Sequence, residues 1–429
     1  MNKPTLDQWL QRLEQLHPAE IELGLQRCGE VSRRLALLPV PCPVMTVAGT
    51  NGKGSTVAVA ESVALASGER TGLFTSPHFL RFNERIRVGG QEATDSEIIA
   101  AFEQIDAARN EISLTYFEFA TLAALLIFRE RGVSLAILEV GLGGRLDSVN
   151  LVDPDVAVIT RIDLDHQDWL GDDIDVIARE KAGILRAGRP AVIGALAPPT
   201  GLSRAVCDIG AQAFYLGDSF GFEASDEQLE VKLQQASGEH LVLTLPQALP
   251  VQPENACAAL QAMALLGLDL AALDVAEAVA SVELVGRLQC EVVEGVELIL
   301  DVAHNPGAVD KLVEHLDATH CNKKTIAVFS AMKDKDIHGM IARSLAAFDA
   351  WFLADQPENS RAAKAADVAA TLHEQGCGMI SVSKNLRQAY RRARSLLGEG
   401  DRLVVFGSFH TVAAILPLIE KDRRKEQRG

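Results

Sequence analysis

Short apolar runs alternate along the chain with longer stretches in which apolar residues recur every three or four positions. A short run between turn residues is typical of a buried strand, and the longer period is typical of an amphipathic helix. In the first half, the predicted strands are 44–48, 71–75, 135–140, 156–160 and 191–193, with helices at 55–66 and 117–131. This alternation predicts a parallel sheet covered by helices.

The pattern of apolar and polar positions changes twice in the rest of the chain. Residues 222–245 alternate polar and apolar positions, which predicts a small antiparallel side sheet. From about residue 291 the strand–helix alternation resumes, with predicted strands at 298–302, 325–329, 351–353, 379–382 and 402–406. We therefore predict an α/β protein with a nucleotide-binding domain at 1–284 and a second doubly wound, Rossmann-like domain at 285–429.

The composition narrows the class of protein. Apolar residues make up 48% and charged residues 23% of the 429, as in ordinary globular proteins. Seven scattered cysteines without a CxxC pair argue against a disulfide framework and against structural zinc. No apolar run approaches the roughly 20 residues of a membrane span. We expect a cytoplasmic monomer without a membrane partner.

The net charge of −17 disfavours nucleic acid as a partner. Anionic ligands must then bind at local positive sites, and one glycine-rich turn between a predicted strand and helix provides such a site. Its residues are Gly49, Thr50, Asn51, Gly52, Lys53, Gly54, Ser55 and Thr56.

Backbone N–H groups and the helix dipole at such a turn bind phosphate, and Lys53 adds a positive charge. The hydroxyl of Ser55 or Thr56 suits Mg²⁺. Gly54 separates the lysine from the hydroxyl residues, so the match to GxxxxGK[ST] is imperfect. A glycine-rich turn without a ligand is the alternative, but the strand and helix on either side favour ATP binding.

The sequence GTNGKGS resembles the phosphate-loop motif of the Mur ligase superfamily. Three further motifs resemble its folylpolyglutamate synthases, above all the bifunctional members that also act as dihydrofolate synthases. These motifs are TSPH with RFNERI (75–86), LEVGLGGRLD (138–147) and DVAHNP (301–306). Their order and the chain length fit the whole family chain.

The resemblance implies ATP-dependent ligation of L-glutamate to 7,8-dihydropteroate and to tetrahydrofolate polyglutamates through an acyl phosphate. A monofunctional folylpolyglutamate synthase or another Mur-type amino-acid ligase is the alternative. The spelling of residues 115–119 favours the bifunctional type, and the SPH motif disfavours cell-wall substrates. A nucleotide-gated switch that makes no amide bond is a rival of another class.

The resemblance also implies magnesium ligation, with two ions expected, by Ser76, Glu139 and His166. Glu139 ends a predicted strand, where α/β proteins bind ligands. His166 is an unusual ligand, because hard cations prefer oxygen, and a solvated acidic loop is its alternative. Lys181 stands in an EKAG spelling where some Mur-type ligases carry a carbamylated lysine. A lysine paired with a neighbouring acid is the other reading.

For the pterin, the resemblance implies contacts with Thr115, Phe117 and Asp147. An aromatic ring offers stacking, and a carboxylate accepts two hydrogen bonds from an amino-pyrimidine edge. Phe117 fits a helix core equally well.

The remaining predicted contacts also come from the resemblance. Arg81 and Arg85 flank Phe82 in a loop that could close over the substrate. Asn255 resembles an adenine contact. Further nucleotide contacts are implied at Arg287, Asp301 and His304. The predicted catalytic residues are Lys53, Lys181, His166 and Arg287, where the arginine neutralises charge on the transferred phosphoryl group.

Overall fold

The computed structural model describes residues 4–19, 21–225, 227–319 and 321–426, which form two compact units. The first contains the chain up to Leu164 together with Leu170–Glu283. The second contains the chain from Leu284 onward together with the segment Asp165–Trp169. That segment lies inside the predicted first domain, yet its contacts group it with the second unit.

The element bounds are as follows. Up to residue 283 the helices are α1 (Leu6–Leu16), α2 (Gln26–Arg34), α3 (Lys53–Ala66), α4 (Asp95–Arg109), α5 (Tyr116–Glu130), α6 (Gln167–Leu170), α7 (Ile174–Ala182), α8 (Thr200–Ile209), α9 (Pro253–Leu265) and α10 (Val275–Ala280). The strands there are β1 (Val44–Ala48), β2 (Thr71–Phe74), β3 (Ile86–Val88), β4 (Gln91–Glu92), β5 (Leu135–Glu139), β6 (Val156–Ile159), β7 (Pro190–Ile193), β8 (Gln212–Tyr215), β9 (Gly221–Ala224), β10 (Gln228–Gln234) and β11 (His240–Pro246). Beyond residue 283 the helices are α11 (Pro306–Ala318), α12 (Ile337–Ser344), α13 (Ala365–Glu374), α14 (Leu386–Arg394) and α15 (Phe409–Glu426). The strands there are β12 (Gln289–Val293), β13 (Val296–Leu300), β14 (Thr325–Phe329), β15 (Ala350–Ala354), β16 (Ile380–Ser383) and β17 (Arg402–Phe406).

The first unit is built on an eight-stranded sheet in the order β4-β3-β2-β5-β1-β6-β7-β8. The six strands β2, β5, β1, β6, β7 and β8 pair in parallel in that order. The strands β3 and β4 add an antiparallel edge beside β2. Every residue of β1 and β5 is buried, as expected of central parallel strands. The predicted parallel sheet is confirmed, and the antiparallel edge is an addition to it.

The three strands β9, β10 and β11 form the predicted antiparallel side sheet. Along β10, Leu229, Val231 and Leu233 are buried while the residues between them are exposed. This period of two is what a sheet with one solvated face requires. The side sheet is therefore confirmed.

The second unit has a six-stranded sheet in the order β12-β13-β17-β14-β15-β16. Five of its strands are parallel, which confirms the predicted Rossmann-like arrangement, and β12 is an unpredicted antiparallel edge. Trp351 is fully buried among aromatic rings, with centroid distances of 5.7 Å to Phe329, 5.1 Å to Phe348 and 5.9 Å to Phe406. No helix in the described ranges is both long and apolar enough to cross a bilayer.

Trp351→Ala opens a cavity among these rings. We expect the free energy of unfolding of the second unit to fall by about 3–5 kcal/mol, measured by urea unfolding followed by circular dichroism. Trp169→Ala is the matched control, because Trp169 is 48% exposed and surface changes usually stay within about 0.5 kcal/mol. Equal losses in the two variants would contradict the packing argument.

Candidate functional site

Four adjacent parallel strands of the first unit, in the order β2-β5-β1-β6, end at the same edge of the sheet. Pairing aligns Val47 of β1 with Glu139 of β5, and Ala48 with Ile159 of β6. The glycine-rich turn at residues 49–56, called the phosphate loop below, follows β1, and Ser76 follows β2. The carboxyl ends of such strands are where α/β proteins bind ligands.

The backbone of the phosphate loop has a conformation that requires glycine. Gly52 has φ +94° and directly precedes α3. A Cβ atom at this position would overlap the side-chain amide of Asn255 on α9. Asn255, the predicted adenine contact, therefore lies against the phosphate loop.

The loop after β6 holds the phosphate loop in shape. The backbone N–H of Thr50 donates to the carbonyl of Arg161 at 2.8 Å, and its hydroxyl donates to the carbonyl of Asp163 at 3.0 Å. The side-chain amide of Asn51 donates to the Asp163 carboxylate at 2.8 Å. Thr50 and Asn51 thus fix the turn through their side chains.

Two lysine ammonium groups donate to one carbonyl oxygen of the phosphate loop. Nζ of Lys53 lies 3.0 Å and Nζ of Lys181 lies 2.9 Å from the oxygen of Gly49. Lys181, near the end of α7, is only 4% exposed. The neighbouring Glu180 pairs with Arg145 at 2.8 Å. Two positive charges beside backbone N–H groups at a helix start suit a polyphosphate.

The hydroxyl residues of the loop differ in their availability. Thr56 donates its hydroxyl to the carbonyl of Gly52 at 3.0 Å, inside the first turn of α3. The hydroxyl of Ser55 makes no hydrogen bond within the described residues. Ser55 is therefore the better of the two candidates for a metal-bound oxygen.

Ser76 and Glu139 meet at the carboxyl ends of β2 and β5. One oxygen of Glu139, Oε2, accepts hydrogen bonds from the Ser76 backbone N–H at 3.3 Å and from the Thr75 hydroxyl. Its other oxygen accepts none within the described part of the chain, although the residue is only 2% exposed. A buried carboxylate with a free oxygen beside a serine fits Mg²⁺.

No group of three or more His, Cys, Asp and Glu side chains in the described ranges is arranged to hold a metal. His166, the third predicted ligand, belongs to the second unit by its contacts.

Arg85 is a half-buried cation in the loop that follows Ser76. Its Nε donates to Nδ1 of His78 at 2.7 Å, and its guanidinium lies 5.5 Å from the ring of Tyr116 and 5.8 Å from that of Phe82. Burial lowers the pKa of Arg85, although the charge of Glu139 counteracts the shift. No carboxylate of the described residues forms an ion pair with it, so its charge is available to an anion.

Arg81 and Phe82 occupy different environments. The side chain of Arg81 is 65% exposed and pairs with Glu92. Phe82 is 2% exposed and packs edge-on against Phe102 and Tyr116, with centroids 5.6 and 5.8 Å away. Its position is that of a core aromatic, and its contact with a substrate stays a prediction.

Thr115 caps α5. Its hydroxyl accepts the backbone N–H of Glu118 at 3.2 Å, while the Glu118 carboxylate accepts the N–H of Thr115 at 2.7 Å. Phe117 is partly exposed, packs 5.6 Å from the ring of Phe74 and covers Gly141, where a Cβ would overlap it. Of these two predicted pterin contacts, Phe117 has the side chain that is open to a ligand.

Asp147 folds the glycine-rich turn after β5. Its Oδ2 accepts the N–H groups of Gly141 and Leu142 at 3.0 and 2.9 Å, and its Oδ1 accepts that of Val149 at 2.9 Å. Burial raises the pKa of Asp147 to about 6 despite these three hydrogen bonds. The carboxylate holds its own loop, and pterin binding by it stays a prediction.

In the second unit, Asp301 follows β13 and holds two backbone segments together. It accepts the N–H of Leu288 at 2.8 Å and that of Ala303 at 2.7 Å, and burial raises its pKa. The guanidinium of Arg287 lies 5.4 Å from the ring of Phe409, the first residue of α15. Asp301 thus organises the turn that carries Arg287.

His304 contacts Asp165, which the sequence analysis did not place in the site. Its Nε2 lies 3.2 Å from the carboxylate of Asp165, which also pairs with the ammonium of Lys335. Burial alone would raise the pKa of Asp165, but the hydrogen bond from His304 and the charges of His304, His166 and Lys335 lower it well below its ordinary value. Lys335 follows the carboxyl end of β14, and that position was the signal that could have revealed it.

Comparison with known proteins gives matches over both units. The Mur ligase middle domain family matches residues 47–263, and the Mur ligase, glutamate ligase domain family matches residues 286–409. The dihydrofolate synthase/folylpolyglutamate synthase of Escherichia coli (strain K12) is 41% identical over 419 residues, covering 97% of this chain and 96% of that protein.

Two solved structures also match nearly the whole chain. Escherichia coli FolC in complex with DHPP and ADP matches with a TM-score of 0.91 and 40% identity, covering 98% of this chain and 99% of that one. A bifunctional folylpolyglutamate synthase/dihydrofolate synthase with Mn, AMPPNP and L-glutamate bound matches with a TM-score of 0.89 and 40% identity, over 97% of this chain and 98% of that one.

Gly52→Ala tests the geometry of the phosphate loop. The new side chain would overlap Asn255. The left-handed backbone at this position would also cost about 1–2 kcal/mol for a residue with a side chain. We therefore expect ATP affinity, measured by calorimetry, to fall about 100-fold. Gly68→Ala is the control, because Gly68 has φ +87° in open space and suffers the strain alone. Equal ATP affinity in the two variants would contradict the assignment of the loop.

Proposed function

Because the chain belongs to the Mur ligase family, we propose that it uses ATP to join L-glutamate to 7,8-dihydropteroate and to tetrahydrofolate polyglutamates. The observation that carries this proposal is the phosphate loop with Lys53 and Lys181 at one carbonyl, beside the Ser76–Glu139 pair. The Escherichia coli relative and the solved structure with Mn, AMPPNP and L-glutamate, which both match nearly the whole chain, are named for both activities. This favours the bifunctional enzyme over a monofunctional synthase or another Mur-type ligase.

The reaction has three steps. A substrate carboxylate oxygen attacks the γ-phosphorus of ATP, which forms an acyl phosphate and releases ADP. The amino nitrogen of L-glutamate then attacks the acyl carbon, giving a tetrahedral intermediate and losing a proton. Collapse of this intermediate breaks the bond to the phosphate oxygen, so inorganic phosphate leaves and an amide remains.

The residues of the first unit act by position and charge. The backbone N–H groups of the phosphate loop and Lys53 bind the phosphates and neutralise charge as it moves to the leaving oxygen. Arg85 suits the carboxylate of the acid substrate, because it is a half-buried guanidinium without an ion-pair partner in the described chain. Phe117 offers a stacking surface for the pterin.

Glu139 and Ser76 would hold Mg²⁺, and the family resemblance adds His166 and a second ion. Bound magnesium supplies charge neutralisation on the phosphate oxygens. Lys181 would hold that second ion if it is carbamylated.

The remaining assignments rest on the resemblance. Thr115 and Asp147 shape the pterin side, Arg81 and Phe82 belong to the substrate loop, and Asn255 contacts adenine. For the second unit, Arg287, Asp301 and His304 are the proposed nucleotide contacts. A cytoplasmic location and a monomeric state complete the proposal.

ADP release with 7,8-dihydropteroate tests the function directly. We expect rapid release only when ATP, dihydropteroate and L-glutamate are all present, with amide product matching ADP one to one. Lys53→Ala should lower this rate about 100- to 1,000-fold while circular dichroism stays unchanged. Lys232→Ala, at an exposed position of β10, is the control and should keep the parent rate.

Slow ATP hydrolysis that neither acid substrate nor glutamate accelerates would contradict a ligase and favour a nucleotide-gated switch. Activity with tetrahydrofolate but none with dihydropteroate would restrict the proposal to a monofunctional synthase. Near-normal turnover of Lys53→Ala would remove the phosphate loop from the nucleotide site.

Lys181 is the proposed site of carbamylation. The modification needs a neutral amine to attack CO₂. The product is a carbamate, which places a negative charge at the end of the long lysine side chain. Two features support it: the EKAG spelling, and the buried Nζ beside the phosphate loop.

We expect Lys181→Ala to lose activity about 100-fold or more and to regain part of it in buffer that contains a short-chain carboxylic acid. Lys311→Ala, which alters an exposed pair with Glu314, is the control. Mass spectrometry near neutral pH should show the parent heavier by one CO₂, an adduct that acid removes. An unmodified amine in active enzyme, or a normal rate for Lys181→Ala, would contradict the modification.

A further inference from the structure

Charged side chains buried in the second unit hold the segment Asp165–Trp169. The side chains of Asp165 and Lys335 are each 6% exposed, and Nζ of Lys335 donates to Oδ1 of Asp165 at 2.5 Å. The other carboxylate oxygen lies 3.2 Å from Nε2 of His304. The proposed mechanism uses His304 and His166 but gives no role to Asp165 or Lys335.

The imidazole of His304 is held at both nitrogens. Its Nδ1 lies 2.8 Å from the carbonyl of Val302, and its Nε2 faces Asp165. Each ring nitrogen therefore faces an oxygen that can accept a hydrogen bond from it. Rotation of the ring would separate at least one nitrogen from its oxygen, so these two contacts fix its orientation.

The same carboxylate supports the backbone of the next residue. His166 has φ +52°, a left-handed conformation that is costly for a residue with a side chain. Oδ1 of Asp165 accepts the N–H of His166 at 2.8 Å. Asp165 therefore stabilises a strained turn while it orients His304.

We propose that Asp165 is a positioning residue: its carboxylate, held by Lys335, fixes the imidazole of His304 and the backbone of His166. This inference rests on the proposed function, in which His304 contacts the nucleotide and His166 binds the metal. Stability alone is a weak reason for the cluster, because buried ion pairs are often no more stabilising than apolar residues of similar size. A positioning role explains why one carboxylate contacts both histidines.

The kinetic test compares Asp165→Asn, Lys335→Met and Lys335→Arg. The first two should lower kcat about 10- to 100-fold and raise the Mg²⁺ concentration for half-maximal activity, while KM for dihydropteroate stays within about twofold. Lys335→Arg keeps the charge and should retain most of the activity. The Asp165→Asn, Lys335→Met double variant should be no slower than the slower single variant, because both changes remove one interaction.

Arg343→Met, which breaks an exposed pair with Asp310 in the same unit, is the control and should match the parent. Parent-like kcat in Asp165→Asn, or multiplying losses in the double variant, would overturn the proposal. If Asp165→Asn does not fold, the two lysine variants decide: equal activity of Lys335→Met and Lys335→Arg would overturn it.

Hydrogen exchange of the free protein gives a second readout that needs no substrate. Amides of residues 165–169 should exchange faster in Asp165→Asn, or in Lys335→Met, than in the parent and in Arg343→Met. Unchanged exchange would overturn the positioning role even in an active enzyme. If the parent protein shows no glutamate-dependent ADP release, the proposed function is contradicted instead. The hydrogen-exchange comparison would still test the positioning role, because it needs no activity.

Discussion

Parallel pairing of β1 with β5 on one side and β6 on the other is the constraint on which the first unit depends. Because these strands run in one direction and are in register, the residues after each of them arrive at the same edge. The phosphate loop, Glu139 and the loop from Thr160 to Asp163 are neighbours for this reason. Hydrogen bonds from Thr50 and Asn51 then convert this proximity into a fixed shape.

Local charge, rather than overall charge, decides which ligands this edge can hold. The chain carries a net charge of −17, which repels anions at long range. Lys53, Lys181 and Arg85 oppose this at short range, and two of them are held within hydrogen-bonding distance of one backbone oxygen. Lys181 is buried and the other two are half-buried, which strengthens their attraction for phosphate and carboxylate groups because water screens such charges less.

The sequence predicted the central strands well and the edges poorly. β1, β14 and β17 have the predicted bounds, since each is a mainly apolar run that is buried at every position. β3 has three residues and β12 alternates between half-buried and exposed positions up to its buried last residue, so both depend on a neighbouring strand that no local pattern reveals.

The residues of the candidate site also fall into those that the sequence could predict and those that it could not. The phosphate loop lies within one turn and could be recognised from its spelling, and the family resemblance supplied Ser76 with Glu139. The pairing of Asp165 with Lys335 joins residues 170 positions apart, and only the folded chain brings them together.

Two buried carboxylates near the same edge differ in how many of their oxygens the protein itself engages. Asp147 and Glu139 are 3% and 2% exposed, so the hydrogen bonds of both carboxylates must come from the protein or from a bound ligand. Asp147 has both oxygens engaged by backbone N–H groups of its own turn, and displacing them would unfold that turn. Glu139 has one oxygen engaged and one without a hydrogen bond in the described chain. A buried charge with an open oxygen needs a counter-ion, and a divalent cation bound there would meet that need.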